Sequence, residues 1–99
     1  MKKTLTLLLA LAAGSLHAQE TTFTNPLLPS GADPFSFYKD GYYYYTHTTG
    51  GSVDIWKTRS LADLSSAEHK TIYRPPAGTP FSKHLWAPEI HFLQGKWYA

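Results

Sequence analysis

A pattern of proline, strand, turn and strand occurs twice in this 99-residue chain, and no other feature limits its fold as tightly. Gly41 and Gly95 are 54 residues apart, and at that one offset Pro34 falls on Pro88 and Tyr44 on Tyr98. Tyr38 meets Phe92 and Tyr43 meets Trp97 as similar pairs. A four-stranded unit recurring after about fifty residues is the sequence sign of a β-propeller, whose blades are such units set around a central channel.

The strands can be placed from local signals. Phe35 to Tyr38 alternates and runs into Lys39-Asp40-Gly41, a hairpin turn because Asp-Gly readily takes positive φ. Tyr42 to Thr48 returns, rich in aromatic and β-branched residues. Thr49-Gly50-Gly51-Ser52 turns into a third strand, Val53 to Thr58. Ser60 and Asp63 have capping-box spacing, which predicts a helical turn over Leu61 to Leu64. Lys70 to Tyr73 completes an antiparallel meander of four strands. A proline-rich loop from Arg74 to Pro80 follows, then Glu89 to Leu93, the turn Gln94-Gly95 and the strand Lys96 to Ala99.

Between the polar, extended segment Gln19 to Pro29 and the first strand stands Ser30-Gly31-Ala32-Asp33-Pro34. A residue before proline is biased toward extended geometry, so Asp33 is expected at a strand's mouth with its carboxylate aimed by the backbone. An ordinary turn would also use Asp there, because its side chain bonds nearby backbone.

Residues 1–18 read as a secretory signal peptide. Met1-Lys2-Lys3 is the charged start, Leu5 to Ala13 the apolar core, and Leu16-His17-Ala18 the cleavage site before Gln19. The apolar core is too short to span a bilayer, so no membrane association is expected after cleavage. Two of the nine basic residues lie in this segment and none of the seven acidic ones does, so the mature chain is balanced at seven of each. That balance argues against a nucleic-acid partner, which calls for Lys and Arg gathered on one face. Cysteine is absent, so no disulfide framework is expected despite export. Trp97-Tyr98-Ala99 leaves an aromatic edge without a partner, and residues 19–99 are therefore expected to be the N-terminal part of a longer propeller.

Three stretches taken together carry a family likeness. Asn25 to Pro34, Lys39 to Tyr45, and Trp86-Ala87-Pro88-Glu89-Ile90-His91-Phe92 with Gly95 to Tyr98 resemble glycoside hydrolase family 43. The resemblance implies an all-β fold, here the first blade and the start of the second blade of a five-bladed propeller preceded by a signal-peptide helix. It implies a glycosidase acting with inversion on arabinan, arabinoxylan or xylan, which the signal peptide would deliver to the periplasm or outside the cell. Of the family's three carboxylates only the general base maps here, onto Asp33. The pKa-tuning Asp and the acid Glu would lie beyond Ala99, so this stretch alone is expected to be inactive. The runner-up is a non-catalytic, carbohydrate-binding propeller that has lost the acid.

In a blade the first strand lines the axis and the second returns, which puts Asp33, His47 with Thr49, and Trp86 with Glu89 on one rim. Trp86 reads as a sugar platform in preference to core filling. Glu89 tempts as a second carboxylate, since glycosidases work with two. Its place in the Trp-Ala-Pro-Glu motif instead implies a substrate-orienting or buried structural role. His47 reads as a rim residue that can touch sugar. His84 and His91 lack short metal-ligand spacing, so neither a zinc site nor another cofactor is expected.

Overall fold

The computed structural model describes residues 22–99, and the expected signal-peptide helix lies outside them. Four strands form one antiparallel sheet in chain order: β1 (Phe35–Lys39), β2 (Tyr42–Thr46), β3 (Val53–Thr58) and β4 (Glu68–Tyr73). A separate hairpin follows, of β5 (His91–Leu93) and β6 (Lys96–Tyr98). This is one propeller blade and the opening of the next.

The repeat seen in the sequence is written into the backbone. Asp40 and Gly41 turn β1 into β2 at φ 52° and 82°, and Gln94 and Gly95 turn β5 into β6 at φ 49° and 77°. Two successive positive φ values mark the tight hairpin turn that matches strand twist. Lys39 pairs with Tyr42 just as Leu93 pairs with Lys96, again at the offset of 54. The residues ahead of the two prolines also agree, with Asp33 at φ 52° and Ala87 at φ 48°.

That last agreement corrects an expectation. Asp33 is in the left-handed region, not extended, and two contacts hold it there. The Thr48 N–H donates to the Ala32 carbonyl at 2.9 Å, and the Thr48 hydroxyl donates to the Asp33 carboxylate. Asp tolerates this conformation better than most residues because its short polar side chain bonds locally.

Alternation on β2 divides the tyrosine run between two faces. Tyr44 packs on one face with Phe37, and Trp97 of β6 closes over both at centroid distances of 4.8 and 5.6 Å. Tyr43 meets Tyr38, and Tyr45 meets Trp56, on the other face. His91 packs on Phe35 and Phe37, so β5 lies against β1. Ile90, at 1% exposure, is the most deeply buried apolar residue at this junction.

The single turn after β3 forms without the capping box. It is a 3-10 segment, Leu61–Ser66, and the Ser60 side chain makes no capping bond. The Thr58 hydroxyl takes over, donating to the Ser60 carbonyl at 2.8 Å and accepting from the Ser60 N–H at 3.2 Å. Leu64 is buried beneath the turn, and β4 begins at Glu68, two residues earlier than expected.

Candidate functional site

Thr48, just past the end of β2, ties three separate segments together. Its hydroxyl lies 2.7 Å from Oδ2 of Asp33 and 2.7 Å from the backbone nitrogen of Ala87. A carboxylate only accepts and a backbone N–H only donates, so the polarity is fixed. Thr48 gives its one proton to Asp33 and receives that of Ala87. Among the described residues only Oδ2 of Asp33 carries a hydrogen bond, and the side chain is exposed at the mouth of β1.

Trp86 stands beside this link. Leu85 N–H donates to the Gly50 carbonyl at 3.2 Å, forming an isolated antiparallel bridge. Leu85 and Ala87 are thus both fastened to the turn after β2, with Trp86 between them. The indole is 69% exposed and meets the His84 ring edge-on at 5.7 Å. A large apolar ring held by both neighbours yet facing solvent suits a flat apolar ligand face. His84 and Ala87 both have positive φ, 61° and 48°. With Asp33, three non-glycine residues in the left-handed region gather in and around this network. Such backbone is sustained only where surrounding contacts over-determine it, and it concentrates at functional sites.

Glu89 is exposed, not buried, and its Oε2 lies 3.0 Å from Nε2 of His91. Because His91 is packed on Phe35 and Phe37, this pairing ties the Glu89 carboxylate to the start of β1.

His47 departs from the rim. Its ring is 5% exposed and stacks on Trp56 at 4.6 Å, and Trp56 stacks on His69 at 4.3 Å. Asp54 Oδ2 completes the row, 2.9 Å from Nε2 of His69. Burial pushes the His47 imidazole below its usual pKa, and the nearby Asp54 charge opposes that push. Burial alone would raise the Asp54 carboxyl, but hydrogen bonds from Ser52, His69 and Thr71 outweigh it and hold it below the ordinary range. Thr49 is exposed, but its hydroxyl is engaged within its own turn, donating to the Ser52 carbonyl at 2.6 Å. The hydroxyl that meets Asp33 and Ala87 at this end of β2 is that of Thr48. Nothing in the sequence marks that position beyond its place at the end of the strand.

A cavity of about 330 Å³ lies elsewhere, between the Tyr44 face of the first sheet and β6. Tyr44, Ile55, Ile72, Ile90, Trp97 and Tyr98 are among its walls, and neither Asp33 nor Trp86 reaches it. It belongs to the packing between the two units.

Comparison with known proteins gives a consistent set of likenesses. Residues 23–99 match the family described as glycosyl hydrolases family 43. The chain is 44% identical over 80 residues to an extracellular exo-α-(1→5)-L-arabinofuranosidase of Streptomyces avermitilis, covering 78% of this chain and 17% of that protein. It is 35% identical to the protein of the same description from Streptomyces chartreusis, covering 90% of this chain and 31% of the relative. The crystal structure of an α-L-arabinofuranosidase from Lactobacillus brevis superposes with a TM-score of 0.66 at 36% identity, over 76% of this chain and 25% of that one. This chain thus spans less than a third of the length of either curated relative.

Proposed function

The chain belongs to glycosyl hydrolases family 43, and from that premise we propose that it is the N-terminal part of an exported glycosidase acting on arabinose-containing polysaccharide. Two relatives described as extracellular arabinofuranosidases support both the substrate class and the export. Residues 1–18 serve as the signal peptide in this reading, and residues 19–99 supply the first blade and the start of the second. Among the described residues no helix is long and apolar enough to cross a membrane.

Asp33 is the general base. The observation that carries this role is the Thr48 bond, which engages Oδ2 and leaves Oδ1 of an exposed carboxylate for a water molecule. A base must lie within hydrogen-bond reach of the proton it removes. Asp33 takes a proton from that water as its oxygen attacks the anomeric carbon. The leaving oxygen departs from the opposite face and is protonated by an acid on a later blade. Base and acid roughly 6.5–9.5 Å apart leave room for the water and give inversion. Trp86 offers its indole face to a sugar ring. Glu89, held by His91, orients substrate in place of donating the proton.

The reaction class is tested by proton NMR of the product in the first minutes of hydrolysis by the complete protein. The anomeric configuration is expected to be inverted relative to the substrate. Retention would require a covalent intermediate on a carboxylate nucleophile, and the role of Asp33 would fall with it.

A further inference from the structure

We propose that Thr48 is a positioning residue that locks the general base and the sugar platform into one fixed relation; this rests on the roles given above to Asp33 and Trp86. Its hydroxyl is engaged both as donor, to Oδ2 of Asp33, and as acceptor, from the Ala87 N–H, both at 2.7 Å. The first bond stops the carboxylate from rotating and presents Oδ1. The second fastens the residue next to Trp86, and the Gly50–Leu85 bridge fastens the residue before it. Thr48 is itself anchored through its own N–H to Ala32, the residue preceding Asp33. One side chain therefore sets the distance between the entry to β1 and the loop entering the second unit. These segments are 15 and 39 residues from Thr48 in sequence. Both are held at positive φ, which needs such external bonds to persist.

The substitution Thr48→Val keeps the shape and removes the hydroxyl. In the complete protein, with an aryl arabinofuranoside as substrate, kcat falls by about tenfold to a hundredfold, the scale of one hydrogen bond to a charged group. KM rises by roughly two- to tenfold, the scale of a neutral bond, because the Ala87 N–H loses its acceptor. Thr48→Ser retains the hydroxyl and stays within about threefold of the parent on both constants. In a Trp86→Ala background the KM effect of Thr48→Val vanishes while the kcat effect stays. A purely structural role would raise KM to the same extent in both backgrounds and leave Thr48→Ser impaired, and either result overturns the proposal. If Thr48→Val does not fold, Thr48→Ala removes the same hydroxyl with less volume and carries the same expectations. Asp33→Asn assayed alongside separates the two levels of the account. An active Asp33→Asn refutes the base itself, whereas an inactive Asp33→Asn with wild-type kcat in Thr48→Val refutes only the positioning role.

Discussion

Replacing Trp86 by alanine separates a sugar platform from a core residue, and the structure sets the size of each effect. The indole is 69% exposed, so truncation removes little packing. The expected loss of folding stability is within about 0.5 kcal/mol, the range of surface substitutions. A sugar ring laid on one face of the indole would cover about 70 Å² of apolar area, worth roughly 1.8 kcal/mol at 25 cal/mol per Å². That corresponds to a loss of affinity of about twentyfold. Isothermal titration of the complete protein with an arabino-oligosaccharide, beside a thermal melt, reads both quantities. Trp86→Phe keeps a smaller flat ring and is expected to fall between the parent and Trp86→Ala. Unchanged affinity together with a fall of several degrees in Tm would show that the indole packs against other parts of the protein.

Two further outcomes are expected. The His47 imidazole titrates lower in the folded protein than in the unfolded chain, so the unfolded state binds protons more readily and acid favours it. Stability from this group is complete above about pH 6.5 and falls as the pH drops through the folded value, at no more than about 1.4 kcal/mol per pH unit. His47→Phe should flatten urea-derived stability between pH 7 and 5, and an unchanged slope would show that His47 does not carry it. Gly31 supplies clearance: a Cβ there would lie 3.2 Å from the hydroxyl oxygen of the buried Tyr45. Gly31→Ala is expected to shift the turn bearing Asp33, lowering kcat severalfold with KM little changed, and it fails as a test of that turn if kcat is wild-type.

Much of the fold could be read from residue patterns because its signals are local. Asp40-Gly41 and Gln94-Gly95 each fix a hairpin from two adjacent residues, and alternation on either side assigns the faces. The 54-residue offset was legible for the same reason, since each unit repeats the same short-range demands. What escaped were contacts made across the chain. Thr48 earns no notice as a strand-end threonine, yet its partners lie at Asp33 and Ala87. His47 follows the strand toward the rim in sequence, but stacking on Trp56 draws the ring inward. The proline rule misplaced Asp33 because a steric bias of the preceding residue yields to two hydrogen bonds through Thr48. Ser60 and Asp63 had capping-box spacing, but the Ser60 N–H that Asp63 would have engaged bonds the Thr58 hydroxyl instead.

The measurement that bears most directly on the account is turnover and binding in Asp33→Asn, made in the complete protein. Amide replaces carboxylate with almost no change of shape, and the bond from the Thr48 hydroxyl to the side-chain oxygen is retained. The lost interaction acts in the transition state, so kcat should fall by at least about a hundredfold, the lower bound for a general base. Substrate affinity by titration should remain within about threefold of the parent, because ground-state binding does not use the base. Near-normal turnover in Asp33→Asn, in a protein that still binds substrate, would contradict the account and leave Asp33 as a turn residue.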